Sequence, residues 1–338
     1  MNSSLTVPLD EEQRDLLKLT RRLLEEHAGE AHLRRRMNLD AAHDPDLWRR
    51  LADLGLLSLV LDERWGGAGL GDHVLAPVLH LLGEFAVPEP FLETVVSALL
   101  IQEACPEDFA ATWLPRIASG NAVAALSFGP RTPVVPYAAS ADLLLVCGGG
   151  VTAIEAAELV VERQDAVDPL YPLYRVTGTG QQVSLDAPAV ERAWTRMVAG
   201  SACLLTGVST RLLDMTVAYV KTRHQFDRPV GSFQAVKHKL ADVATGVDLS
   251  QAASFAAFRD TGAPDAQVRA AVAKAYAGEA ARQADVEALQ LHGGIGFTLE
   301  YGLQFWLKRA MALSAAYGTA REHRRSLAVR LLAREAAR

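Results

Sequence analysis

Between Glu191 and Thr222 the apolar residues Leu204, Val208, Leu212, Met215 and Tyr219 recur at helical spacing, and after a break Val236, Leu240, Val243 and Val247 do so again. A strand cannot present that period on one face, so this half of the chain is read as one long helix feeding another. The stretch between them is Arg223-His-Gln-Phe-Asp-Arg-Pro-Val-Gly-Ser-Phe-Gln234. Pro229 and Gly231 are expected to stop the first helix and allow a tight reversal, which makes the stretch the corner of a helical hairpin. Its side chains are unusual for a corner. Arg223 offers planar donors for phosphate oxygens, Gln225 and Gln234 offer amides for a base or ribose edge, and Phe226 offers a face for a flat ring. On these residues alone, a solvated corner with a phenylalanine staple is the simpler reading.

A second stretch follows a long Ala-rich helix: Gln290-Leu-His-Gly-Gly-Ile-Gly-Phe297. Three glycines in four residues let a backbone come close to a ligand and offer N–H groups to an anion, although a helix end can look similar. Another helix is expected around residues 300–316, and residues 188–338 as a whole read as four or five antiparallel helices.

The first part of the chain is also helical. Asp10 and two glutamates open a helix over about 9–30, with Leu16, Leu17, Leu19, Leu23 and Leu24 as its apolar positions. Asp44-Pro-Asp starts another, with Leu47, Leu51 and Leu54 on one face, and leads to the glycine-rich Glu63-Arg-Trp-Gly-Gly-Ala-Gly-Leu70. Residues 72–104 are a long apolar helical region interrupted at Pro88-Glu-Pro90. From Ala122 the period changes. Val123–Phe128, Asp142–Cys147, Leu159–Val161 and Tyr174–Thr177 are short apolar runs between Gly and Pro, as strands would be, and Asp168–Pro172 reads as a turn.

The net charge of −6 gives no basic surface for nucleic acid. No apolar run reaches the roughly 18–20 residues of a membrane span. The first ten residues lack a charged start followed by an apolar core, so no signal peptide is read there. Cys105, Cys147 and Cys203 are scattered, without metal spacing, and read as reduced, buried residues of a cytoplasmic protein.

Taken together, the Arg-x-Gln-Phe corner and the Gln-x-x-Gly-Gly-x-Gly-Phe loop resemble the C-terminal domain of the acyl-CoA dehydrogenases, FAD enzymes that desaturate acyl-CoA thioesters. The glycine-rich 66–69 loop resembles one in that family's N-terminal domain. The resemblance implies a mainly α fold with a small β domain: an all-α domain at 1–120, a shortened middle β domain at 121–187, and a C-terminal antiparallel bundle at 188–338. It implies that Arg223, Gln225, Phe226 and Gln234, with Gln290, Gly293 and Gly294, hold the adenine and pyrophosphate end of FAD across a dimer interface. Asp227 stands where the family usually has Gly.

Two features of the family are not found. Its flavin-facing β segments have no clear counterpart, the first of them being replaced by Ser127-Phe-Gly-Pro-Arg-Thr132. Its usual catalytic Glu before Gly-Thr is replaced by Tyr317 before Gly318-Thr319, and a phenol of pKa about 10 is a poor base at neutral pH. The alternative position on the first bundle helix carries Arg196 and Met197, with Glu191 out of register; Glu300 reads as a surface acid. No catalytic residue is therefore assigned. The resemblance points to a short subunit of a bacterial heteromeric acyl-CoA dehydrogenase of the steroid side-chain type. Its full-length partner would supply the flavin-ring site, the Glu and most of the acyl-CoA pocket, with an external acceptor such as an electron-transfer flavoprotein. Three other readings stay open: a homo-oligomeric dehydrogenase with an unseen base, a flavin-dependent monooxygenase of the same fold, and a non-enzymatic scaffold.

Overall fold

A computed structural model of the chain describes residues 10–39 and 43–336. The signal-peptide reading falls largely outside them.

Six helices come first: α1 (Glu11–His27), α2 (Glu30–Met37), α3 (Pro45–Asp53), α4 (Leu75–Glu84), α5 (Phe91–Ala104) and α6 (Glu107–Ala118). Their starts follow local chemistry. Asp10 accepts the Gln13 N–H at 2.8 Å while the Gln13 side chain turns back to the Asp10 N–H, and Asp44 accepts from Asp46 and Leu47 ahead of Pro45. Buried on every side from Phe91 to Ile101, α5 lies inside this part of the molecule, Glu93 included.

The sheet region holds β1 (Ala124–Ser127), β2 (Val135–Pro136), β3 (Leu143–Cys147), β4 (Val151–Glu155), β5 (Leu159–Gln164), β6 (Leu173–Gly178) and β7 (Gln181–Ser184). One sheet has the order β1-β3-β4-β7, with only the β1–β3 pair parallel; the other is β2-β6-β5, antiparallel throughout. Ala125, Val135, Leu144, Ile154 and Tyr174 fill a small core of their own. Arg309 fixes this region to the last helices. Its guanidinium, fully buried, pairs with Asp168 at 2.6 Å and donates to the Val87 and Leu170 carbonyls.

The remaining chain is α7 (Ala187–Thr222), the short ribbon β8 (His224–Gln225) and β9 (Arg228–Pro229), α8 (Gln234–Ala257), α9 (Ala266–His292), α10 (Leu303–Ala315) and α11 (Ala320–Ala336). The 36 residues of α7 span about 54 Å at 1.5 Å per residue. It packs against α9, α8 and α4, so it ties the bundle to the first helices. Gly83 and Gly207 make that contact close: a Cβ on Gly83 would strike the Leu204 carbonyl, and one on Gly207 the His80 carbonyl.

Three expectations change. Cys105 is half-buried, whereas Cys147 and Cys203 are buried as read. Leu19 faces solvent on α1. The reversal after α7 lies at Phe226 and Asp227, with φ of 52° and 60°, and not at Pro229 and Gly231. The I′ form of a two-residue hairpin turn needs left-handed backbone at both central positions, and Asp tolerates it better than most residues.

Candidate functional site

The Arg223 corner projects from the end of the bundle. The Arg223 N–H caps α7 on the Tyr219 carbonyl at 2.9 Å, and its own carbonyl accepts from Val230 at 2.8 Å. With the backbone so fixed, the side chains of Arg223, Gln225 and Gln234 face solvent, and none bonds to another of the described residues. Phe226 is 86% exposed. It is no staple: it touches Phe233 edge-on at 6.2 Å, and Phe233 carries Arg228 over its face at 4.0 Å.

The glycine loop stands at the same end. α9 stops at His292, and Gly293 turns the chain with φ of 62° into a 3₁₀ turn over Gly293–Phe297. A side chain on Gly293 or Gly294 would meet open space, so a ligand can reach the backbone there; Gly296 instead packs on His292, Leu289 and Leu303. The His292 ring stacks on Tyr219 with centroids 4.5 Å apart, and Tyr219 is one turn before Arg223. Between the two motifs lies a cleft of about 340 Å³, lined by Ala235, Val236 and Lys239 at the start of α8 and by Val286, Glu287, Gln290 and Leu291 at the end of α9. Thus the corner and the glycine loop stand at one end of the bundle; of the residues chosen from sequence, Gln290 lines the cleft itself, beside the Lys239–Glu287 ion pair, and the others lie outside its wall.

A larger cavity of about 620 Å³ opens between the sheet region and the bundle, lined among others by Pro133, Val167, Trp194, Met311, Tyr317 and Glu322. Tyr317 is buried in its wall with φ of 55°. Its phenol turns away from the cavity and donates to Glu93 Oε1 at 3.0 Å; Tyr171 donates to the same oxygen at 3.4 Å, and His323 Nε2 donates to the Tyr317 carbonyl at 2.9 Å. Burial and the neighbouring Glu93 push the Tyr317 phenol well above its ordinary pKa, and burial pushes the Glu93 carboxyl up to about 7. Glu93 was not found from sequence. The one signal for it is an acid in the middle of Phe91–Ile101, otherwise wholly without charge.

Two acids line the cavity, the exposed Asp165 and Glu322, and neither stands at the Tyr317 position. Arg196 points to the first helices, paired with Asp72 at 2.7 Å and Glu103 at 2.6 Å, and Met197 is buried. Glu191 is paired with Arg131 at 2.8 Å, while Arg131 lies over Trp194. Glu300 is exposed. At the N-terminus of α11, Glu322 closes a capping box on Thr319. The Glu322 carboxylate accepts from the Thr319 N–H at 2.7 Å and from its hydroxyl at 2.8 Å, and those bonds hold its pKa below the usual value.

Residues 10–121 match the acyl-CoA dehydrogenase N-terminal domain and residues 189–332 the acyl-CoA dehydrogenase C-terminal domain. A curated relative, acyl-CoA dehydrogenase IpdE2 of Mycolicibacterium smegmatis, is 32% identical over 321 residues, covering 94% of this chain and 98% of its own. The chain belongs to the acyl-CoA dehydrogenase family. Two solved relatives of the family superpose with TM-scores of 0.88. They are the Tcur3481–Tcur3483 steroid ACAD, at 28% identity over 97% of this chain and 99% of its own, and the ChsE4–ChsE5 complex from Mycobacterium tuberculosis, at 25% over 96% and 98%. The family fold, helical with a small sheet region, is therefore as read from sequence.

The family's cofactor is FAD. The corner and the glycine loop fit one end of such a dinucleotide: open backbone at Gly293 and Gly294, a free guanidinium at Arg223, and free amides at Gln225, Gln234 and Gln290. In the larger cavity several polar groups are engaged within the chain. Its helix N-terminus holds a carboxylate, its arginine is paired, and its tyrosine hydroxyl is turned inward.

Proposed function

We propose that this chain is the FAD-anchoring, non-catalytic subunit of a heteromeric acyl-CoA dehydrogenase, and that a related full-length chain carries the base and the thioester pocket. The observation that carries this reading is the contrast between two sites. The corner and glycine loop are open, unpaired and aimed outward, as a site that serves a neighbour would be. The inward cavity has Tyr317 tied to Glu93 and Glu322 tied to Thr319.

In this reading, the corner and the glycine loop would hold the adenine and pyrophosphate end of the partner's FAD. Arg223 neutralises a phosphate, with each charge-assisted bond contributing about 1.5–3 kcal/mol. Gly293 and Gly294 give the phosphates backbone access, and Phe226 and the 340 Å³ cleft offer apolar surface to the base. The bound flavin supplies the hydride acceptor for α,β-desaturation. Tyr317 takes no proton, because its phenol is buried against an acid that raises its pKa further. The two solved relatives are a steroid ACAD and a two-component complex, and from them we take the substrate class, a steroid-derived acyl-CoA, and the heteromeric assembly. An electron-transfer flavoprotein is the proposed acceptor and the cytoplasm the proposed location. Domain limits at 120 and 187 belong to the same reading. A mere scaffold leaves the free Arg223 and the open glycines unexplained.

The test is turnover. The purified chain with added FAD should desaturate no acyl-CoA, and Tyr317→Glu should not change that, since the other cavity groups remain. Bleaching of flavin by substrate in the lone chain would overturn the reading.

A further inference from the structure

Tyr219, His292 and Tyr301 form a triangle of rings where the corner and the glycine loop meet. Tyr219 and His292 lie nearly parallel at 4.5 Å, His292 and Tyr301 are 5.1 Å apart, and Tyr219 and Tyr301 are 6.1 Å apart, edge to face. The three rings come from three places: the last turn of α7, the last residue of α9, and the segment just before α10. Two of them are joined by backbone to something the ligand reading uses. The Tyr219 carbonyl holds the Arg223 N–H, and His292 is bonded to Gly293.

The imidazole is itself held. Nδ1–H donates to the Ala288 carbonyl at 2.7 Å, which leaves Nε2 as an acceptor, and Nε2 is buried without a partner. Burial also lowers the pKa, so the ring is neutral and stacks as a flat neutral ring. Behind the loop, Arg34 on α2 donates to the Leu299 and Glu300 carbonyls at 2.7 Å each, which fixes the far end of the same segment. The loop is thus pinned at both ends, and the pin nearer the open glycines is His292.

We propose that His292 is a positioning residue. Its stack on Tyr219 locks the Gly293–Gly294 backbone to the end of α7, so that the loop and Arg223 meet the same phosphate group together. This rests on the FAD-anchoring reading above. The ring face does the holding and Nε2 does not, so a phenyl ring, which gives up the Nδ1–H bond to Ala288 but keeps the stack, is sufficient and also removes the unpaired acceptor.

The experiment measures FAD affinity of the assembled complex, stripped of flavin and titrated while flavin fluorescence is followed, with helicity checked in parallel. Arg223→Ala and His292→Ala should each weaken FAD by about tenfold, the equivalent of about 1.4 kcal/mol. The double variant should weaken it by far less than the product, because a loop cut loose from α7 no longer acts in concert with Arg223. His292→Phe should bind within about threefold of the wild type. Multiplicative losses in the double variant, or a His292→Phe protein as weak as His292→Ala, would overturn the positioning role. If Arg223→Ala leaves FAD binding unchanged, the anchoring reading fails instead. Should His292→Ala not fold, the phenylalanine variant decides alone.

Discussion

Tyr317 and Glu93 lie 224 positions apart and share one hydrogen bond of 3.0 Å. Only half of that pair was legible in the sequence. Tyr317 precedes Gly318-Thr319, so its place was visible from a local motif. Glu93 becomes a neighbour only when the fold brings α5 to the segment after α10, which no spacing records. The pair has a measurable consequence. Burial raises the Glu93 pKa to about 7, whereas an unfolded Glu titrates near 4.3. Between those values the native state holds a proton that the unfolded state has lost, so this group makes stability fall as pH rises from about 4.3 to about 7. The full penalty, on the order of 3 kcal/mol, is present above pH 7. Glu93→Gln keeps an acceptor for Tyr317 and Tyr171 without the charge. Denaturant midpoints across pH 5–8 should therefore show a variant whose advantage over the wild type grows with pH. An advantage that shrinks or stays flat would mean that Glu93 is charged without penalty, and that Arg309 and the two phenols compensate it.

At the scale of elements, hydrophobic period revealed α7, α8 and the two helices either side of Pro88–Pro90, because long segments average over many positions. Short elements escaped. β4 has five residues and β7 is the polar run Gln181–Ser184 at a sheet edge, so neither stands out from its flanks. The hairpin after α7 was misplaced for a different reason. Pro229 and Gly231 are strong turn signals, but the left-handed pair is Phe226-Asp227, which contact with the β8–β9 ribbon imposes. The α4–α7 crossing was also invisible, since it depends on Gly83 and Gly207 facing each other's helix. Gly207→Ala should strike the His80 backbone and cost about 1–3 kcal/mol, as overpacking does, despite the better helix propensity of alanine. A thermal midpoint equal to or above the wild type would show that the helices separate without cost.

The whole molecule presents more apolar surface than its own folding uses. Leu249 on α8, Val272, Tyr276 and Val286 on α9, and Val329, Leu331 and Leu332 on α11 are all exposed. Such surface on the bundle is what association with another chain would cover. The corner and the glycine loop lie on the same bundle, at the end where α7 and α9 finish. The sequence made both motifs plain and gave their shared location only through the fold. What it could not give is which polar groups at the inward cavity are already engaged, because that depends on Arg131 finding Glu191 and on Glu322 capping its own helix. The central claim is that this chain holds a neighbour's FAD and has no flavin site of its own. It is tested most directly by co-expressing the chain with a full-length acyl-CoA dehydrogenase partner, isolating the complex, and counting flavin against each chain. One FAD for each pair of unlike chains is the predicted result; one FAD for every chain would contradict it.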